Sequence, residues 1–487
     1  MRKILTEIPA FFVIFISFVP KGLLDCQLST FNCQLNYNLT VEQSIEADNC
    51  GVAACTKGGI TMPQQDDGME KRRQAQVLRM RLTLLLVVVL LAACGFGIYK
   101  LTQNAGGEDR TSVQQTVPTT EETRETTPIQ KSPITTIHIK AAGDLNVTDA
   151  VVNAGMAVNS YDFSPVFKDV AAILSDADLT VMNFEGNICG APYGSETTSA
   201  PAELLEALRG CGVDLLQMAN SCAINNGLNG LTATLRAIRA AGIEPVGVFA
   251  SSEEFKQSKG YTMTEIQGVK VGFVAFTKGL GGRGMPAGNE DLVNILYTDY
   301  ATEYKEIDKT RITSILKSME EEKPDLTVAL LHWGSEYNDD ISKTQTQLVS
   351  LLQKNGVDVI IGTHPHTLQP IEFDKSAGTL VAYSLGDFFG DADRGATNYS
   401  VILDLEITKD ANAGTTKVTD YTLHPIYTVR ENECVGNNDR RVVRIGTALQ
   451  AYNGNFLDKV TDSCKSGMEY ALTRIDERTT MQEEEEK

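Results

Sequence analysis

Six short apolar runs, five of them closing on a glycine or a polar side chain, do most to limit what this chain can fold into. They are "ITTIHIKAAG" (134–143), "DLTVMNFEG" (178–186), "VDLLQMANS" (213–221), "EPVGVFA" (244–250), "DLTVALLHWG" (325–334) and "VDVIIGTHPH" (357–366). Their length and their Val, Ile and Leu content predict buried strands. Helical patterns fall between several of them: "SPVFKDVAAILSD", "PAELLEALRGC", "GLTATLRAIRAAG" and "KTQTQLVSLLQKNG". Strand–helix–strand alternation predicts an α/β fold with a largely buried sheet. Three later runs, "TLVAYSLGDFF", "YSVILDLEIT" and "KVTDYTLHPIYTV", follow one another without helices, so part of the sheet is expected to be antiparallel.

Upstream of this region, Leu82 to Tyr99 gives 18 uncharged, mostly apolar residues. That is at the short end of the roughly 17–25 residues that span a bilayer. Lys71, Arg72, Arg73, Arg79 and Arg81 precede it, so the positive-inside rule holds that side in the cytoplasm and sends everything after Lys100 outside. The expectation is a single-pass anchor in the cell membrane over 69–100. "LAAC" ending at Cys94 offers a competing lipobox reading, but apolar residues continue past it to Tyr99. Residues 1–68 form an N-terminal region whose "IPAFFVIFISFVP" looks like a signal-peptide core. Its topology conflicts with the basic cluster, a conflict that disappears if translation starts at Met69 or Met62. Residues 101–133, rich in Thr, Glu, Gln and Pro, are expected to form a flexible stalk. The globular domain is placed at 134–430, with a C-terminal helical extension and an acidic tail at 431–487.

Charge narrows the partners. With 43 Lys and Arg against 63 Asp and Glu, the net charge is −20. That argues against nucleic acid, whose phosphates need a basic footprint. It equally disfavours unaided binding of any polyanion unless cations or a local basic patch intervene. The five cysteines after the anchor lack zinc-ribbon spacing. Outside the cytoplasm, disulfides are expected: Cys222 with Cys189 or Cys211, and Cys434 with Cys464.

Ligands in open α/β sheets gather beyond the carboxyl ends of the strands. Those ends here carry Asp144, Asn183 and Glu185, Asn220, His332, and His364 with His366. Each alone reads more readily as a turn, a cap or a hydrogen-bonded core residue. Together, carboxylates, amides and imidazoles suit a borderline divalent ion such as Mn, Zn or Fe. Pro365 pushes His364 towards extended backbone, in which residues two apart share a side, so both imidazoles can converge; a proline turn with two surface histidines is the alternative. "TKGLGGRGMPAGNED" (277–291) lacks GxGxxG with a following helix. It reads as a mobile loop, or as a lid with Arg283 gripping a substrate carboxylate or phosphate.

At these positions the sequence resembles the bacterial CapA family, the capsule-synthesis proteins associated with poly-γ-glutamate. The matching order is "GD" (143–144), "NFEG" (183–186), "ANSCAINNG" (219–227), "LHWGSEY" (331–337), "GTHPHTLQP" (362–370) and "YSLGDF" (383–388), within roughly 135–430. The resemblance implies a relative of calcineurin-like metallophosphoesterases: a four-layer α/β/β/α sandwich with a divalent-metal site between loops. It implies Asp144, Glu185, His332, His364 and His366 as metal-site residues. His332, His364, His366 and Asn220 then take catalytic roles, while Arg283 and Asn183 bind substrate. In such relatives a metal-activated water attacks while imidazole stabilises or protonates the leaving group. The chain departs from the family where "ANNHALDYG" is usual: Ser221 replaces the second Asn, Cys222 the His, and Asn225 the Asp. Asn146 stands where a "DxH" motif has its His. One metal, or none, is therefore expected. The expected partners are an envelope polymer such as poly-γ-glutamate, the membrane, and capsule synthesis or export proteins. Two classes stay open: a metal-dependent hydrolase or transferase at an amide or phosphoester bond, and a non-catalytic binding or scaffold subunit of an export complex.

Overall fold

The computed structural model describes residues 133–433, 440–454 and 460–479. The expected anchor, stalk, acidic tail and Cys434 lie outside the described residues, Pro133 at the stalk's end excepted. Among the described residues, no helix is long and apolar enough to cross a membrane.

From the amino end, β1 (Ile134–Asn146) leads through three short helices to β2 (Leu179–Glu185). The helices are α1 (Asp149–Ala154), α2 (Ser164–Phe167) and α3 (Ala171–Ser175). The single helix expected over 164–176 is thus two, separated by a turn at Lys168–Val170. Next come α4 (Glu203–Gly210), β3 (Leu215–Gln217), α5 (Gly227–Ala240), β4 (Glu244–Val246) and α6 (Ser252–Ser258). The chain continues with β5 (Thr262–Ile266), β6 (Val269–Thr277), α7 (Lys309–Glu320), β7 (Leu326–His332), α8 (Lys343–Lys354) and β8 (Val359–Thr363). It then runs through β9 (Leu368–Asp374), β10 (Thr379–Leu385), β11 (Asp387–Phe389), β12 (Tyr399–Asp410), β13 (Thr415–Val429) and β14 (Arg441–Arg444). Helices α9 (Ile445–Asn453) and α10 (Asp462–Thr479) close it.

These strands make two sheets, a mixed α/β architecture. The first has the order β14-β13-β12-β1-β2-β3-β4, with β11 also pairing β1. The second has the order β5-β6-β7-β8-β10-β9. Parallel pairing holds where helices intervene, β1 to β4 in one sheet and β6 to β8 in the other, and also between β8 and β10, which are joined through β9 without a helix. Of the helix-free runs, β12 and β13 pair antiparallel, as β1–β12, β12–β13 and β13–β14, while β11 pairs parallel with β1. Residues beyond 430 therefore contribute a strand to the first sheet as well as helices.

Burial explains why the parallel strands read as unbroken apolar runs. All seven residues of β2 and all seven of β7 are buried, each aliphatic side chain contributing about 2 kcal/mol on leaving water. Helix α8 starts on a capping box: Ser342 Oγ accepts from Gln345 N at 3.2 Å, and Gln345 Oε1 accepts from Ser342 N at 2.9 Å. Gln345 Nε2 then donates to Gln369 Oε1 at 2.9 Å, tying α8 to β9 beside the loop that follows β7.

Candidate metal centre

The carboxyl ends of β1 and β2 face those of β7 and β8. Parallel register sets Asp144 opposite Asn183 and Asn146 opposite Glu185 in the first sheet, and His332 opposite Thr363 in the second. His364 follows immediately. Strand β11 adds Asp387, in register with Asp144. Gly143 makes that pairing feasible, since a Cβ there would stand 1.8 Å from the Gly386 carbonyl oxygen. With that space kept open, Asp144 N donates to Gly386 O at 2.9 Å.

The "HPH" segment is a turn rather than the extended stretch expected. His364 has φ +92° and His366 φ +60°, both left-handed, a conformation that costs about 1–3 kcal/mol for a non-glycine residue. Two hydrogen bonds hold it: His364 N donates to Asp144 Oδ2 at 3.0 Å, and Tyr337 N donates to Pro365 O at 2.8 Å. Convergence survives by this different route. Ring centroids lie 4.4 Å apart for His332 and His364 and 6.1 Å apart for His364 and His366.

Around these rings the carboxylates are buried and close. His332 Nδ1 lies 3.6 Å from Glu185 Oε1, and His366 Nδ1 lies 3.6 Å from Asp144 Oδ2 and 2.7 Å from Asp387 Oδ1. Asn183 Nδ2 donates to Asp144 Oδ1 and to Glu185 Oε1, while Ser221 Oγ donates to Glu185 Oε2 at 3.1 Å. Asn220 is fully buried; its amide donates to Phe184 O at 2.7 Å and to Asn183 Oδ1 at 3.2 Å. Both asparagines thus fix the strand ends and the carboxylates from within the protein. Arg283 is exposed on the loop after β6 and donates to Asn225 Oδ1 at 2.8 Å.

Electrostatics follow from burial. Burial raises the Asp144 carboxyl, and raises Glu185 well above the usual carboxylate range with Asp144 adding to the push. Asp387 is pushed up by burial to about 6. Burial drives His332 and His364 well below 6.5 and so keeps them neutral. For His366 burial acts the same way, but Asp387, with Glu185 and Asp144, outweighs it and holds the ring well above 6.5.

Two buried nitrogens, His332 Nε2 and His364 Nδ1, have no hydrogen-bond partner among the described residues. Buried polar atoms are rarely left so unless something else meets them. Three overlapping sets bring their ligand atoms within 4.8 Å of one another: Asp144, Glu185 and His332; Asp144, His366 and Asp387; and Glu336, His364 and His366. Neutral imidazole and carboxylate oxygen are the donors that borderline divalent ions take, so the residues fit such an ion.

The family description "Bacterial capsule synthesis protein PGA_cap" matches residues 138–392, just over half of the chain. The chain belongs to this family. Among curated relatives, the PGA biosynthesis protein CapA of Bacillus subtilis (strain 168) is 27% identical over 267 residues, covering 53% of this chain and 65% of that protein. The capsule biosynthesis protein CapA of Bacillus anthracis is 27% identical over 263 residues, covering 53% of this chain and 61% of that protein. The chain therefore spans less than two thirds of the length of either. Among solved structures, the calcineurin-like phosphoesterase YfkN from Bacillus subtilis is similar at 18% identity and a TM-score of 0.39, covering 70% of this chain and all of that one.

Within this family member, Asp144, Glu185, His332, His364 and His366 come together in one cluster, with Asn183 and Asn220 behind them. Sequence reasoning gave no site role to Asp387, Glu336 or Lys278, and read Ser221 only as the replacement of the family's second Asn. Asp387 carried a usable signal, a "GD" at a strand end like that at 143–144. The expected bridge from Cys222 to Cys189 or Cys211 does not form; all three are free thiols. Cys189 Sγ turns to Ser199 Oγ, Cys211 caps α4, and Cys222 packs beside Ser221 in the centre itself.

Proposed function

We propose that the chain is a membrane-anchored, extracytoplasmic protein of capsule biosynthesis that engages a poly-γ-glutamate-type polymer and works as a metal-dependent hydrolase or transferase on an amide or phosphoester bond. Under this reading the two sheets are the inner layers of a four-layer sandwich, and its partners are capsule synthesis or export proteins. The observation that carries it is the pair of buried, unpartnered nitrogens, His332 Nε2 and His364 Nδ1, on rings 4.4 Å apart, with His332 clustered with the buried carboxylates of Asp144 and Glu185.

One divalent ion (Mn, Zn or Fe) would be held by Asp144, Glu185, His332, His364 and His366, with Asp387 beside His366, and would supply Lewis acidity at a phosphoryl or acyl oxygen. The chain's own residues perform the rest. Asn183 and Ser221 orient Asp144 and Glu185 so that their oxygens face the histidines. Asp387 pairs with His366 Nδ1 and fixes that ring, which leaves the other ring nitrogen to the ion. Arg283 supplies a fixed positive charge on the exposed side for a substrate anion.

A second reading, a binding or scaffold subunit without turnover, is favoured by one specific feature. Cys222 replaces the family's usual His, and burial together with the nearby Glu185 pushes its thiol up to about 12. At neutral pH it is neither a nucleophile nor a ready proton donor.

The test is titration of Mn²⁺ or Co²⁺ into the protein, following Trp333, its one tryptophan, with elemental analysis alongside. Quenching that is lost in His364→Ala with His366→Ala supports the metal. Without bound metal, and with no change in that variant, the reading fails. γ-Glutamyl peptides and phosphoesters then separate the two classes by turnover.

A further inference from the structure

The chain's net charge of −20 sets a problem for any protein that handles a polyanion. The cations nearest the metal centre answer it by the kind of partner that holds them. Lys278, the residue after β6, donates from Nζ to Gly334 O at 2.6 Å and lies 4.9 Å over the Tyr304 ring. Its own backbone N–H donates to His332 O at 2.7 Å, which fixes it at the edge of the histidine cluster. Arg283 is held by the side-chain amide oxygen of Asn225, three residues after Cys222. Arg394 lies 4.0 Å over the Tyr337 ring, and that ring stacks on His366 at 5.5 Å and 27°.

A carbonyl, an amide oxygen and an aromatic face orient a cation without neutralising it. Among the described residues none of the three has a carboxylate at ion-pair distance. Glu336, an acid that acts on Lys278, has its carboxylate within 4.8 Å of His364 and His366. The three cations adjoin different parts of the centre: Lys278 by His332, Arg283 by Asn225 of the Cys222 loop, and Arg394, through Tyr337, by His366. A chain carrying a carboxylate on every unit has a group to offer each of them.

We infer that Lys278, Arg283 and Arg394, with Tyr337 as the platform for Arg394, form a cationic rim that binds a chain-like polycarboxylate and aligns it across the metal centre. This rests on the reading of that centre as the place where the polymer is engaged. Local charge opposite to the protein's overall sign is what allows an anion to dock on an acidic protein.

The test uses the full-length protein in EDTA and a fluorescently labelled γ-glutamate decamer, read by anisotropy at low and at physiological salt. The decamer is expected to bind, and to bind more weakly as salt rises. R283Q and R394Q are each expected to weaken binding about 5-fold, and the two together with K278Q more than about 50-fold. Inorganic phosphate is expected to compete far less well than unlabelled decamer. R283Q and R394Q sit on exposed side chains, so the inference stands or falls on them even if K278Q misfolds. No binding by the wild type, unchanged affinity in both exposed variants, or phosphate competing as well as the decamer would overturn it. Binding without cleavage or metal loading would leave the rim standing and remove the hydrolase reading. Cleavage that ignores the rim variants would do the reverse.

Discussion

His366 Nδ1 stands 2.7 Å from Asp387 Oδ1 and 3.6 Å from Asp144 Oδ2, so one imidazole joins two carboxylates that β1 and β11 present in register. Carboxylates that orient a ligating histidine typically account for 10–100-fold in metal affinity. Asp387→Asn keeps the size and one acceptor but removes the charge. It is expected to weaken Co²⁺ binding by about that range, read by Trp333 fluorescence and elemental analysis, with secondary structure unchanged. An affinity equal to wild type would remove Asp387 from the centre.

Gly143 tests the same junction through the backbone. An added Cβ would collide with the Gly386 carbonyl oxygen at 1.8 Å, and backbone on both sides leaves no flexible side chain to yield. Gly143→Ala is expected to cost about 3 kcal/mol or more. If the domain still folds, the variant should lose metal affinity as well, because Asp144 and Asp387 can no longer keep their register. A thermal melt matching wild type would show that the strands separate without penalty.

The parallel strands and the cluster's main residues were legible because their signals are local. A buried run ending in Asp, Glu or His says where the side chain sits along its strand, and Asp144, Glu185, His332, His364 and His366 all follow that rule. For Asp387 the sequence showed a "GD" strand end but not which strand it meets. Its strand has only three residues, and its register against β1 is a long-range relationship that no spacing encodes. The left-handed turn at His364 was hidden for a similar reason. Local propensity before proline favours extended backbone, and only the Asp144 carboxylate and the Tyr337 loop override it. Lys278 gave no sign either, since its placement depends on Gly334 and Tyr304, far along the chain.

Thiol accessibility separates Cys189 from two buried thiols, Cys211 at the end of α4 and Cys222 in the centre. Cys222 is buried, with its thiol pushed up to about 12, and Cys211 is buried with its thiol pushed up to about 11. Cys189 is only partly buried. Alkylation of the native protein near neutral pH should therefore mark Cys189 first and leave Cys211 and Cys222 until urea is added. Peptide mass spectrometry reads the order. Cys222 reacting as fast as Cys189 would mean that the centre opens to solvent, and that the thiol is available for chemistry after all.

Acid sensitivity can be traced to the other face of the first sheet. His424 on β13 has Nε2 3.7 Å from Asp404 Oδ2, with His138 Nδ1 at 2.9 Å and Lys140 Nζ at 3.5 Å from the same carboxylate. Burial lowers His424 below 6.5, with Asp404 opposing and Lys140 and Arg444 adding to the shift. Between the lowered folded value and 6.5 the unfolded chain therefore binds the extra proton, and stability rises with pH. The contribution is complete above 6.5 and is lost as pH falls through the folded value. Neutral His332 and His364 act in the same direction when no ion is bound, so the wild-type curve alone does not isolate His424. His424→Gln removes this proton uptake while leaving theirs. Urea unfolding from about pH 7.5 to about pH 5 should show the variant losing less stability than wild type, by under about 1 kcal/mol after solvent screening. Parallel curves for the two proteins would show that His424 titrates alike in the folded and unfolded chains.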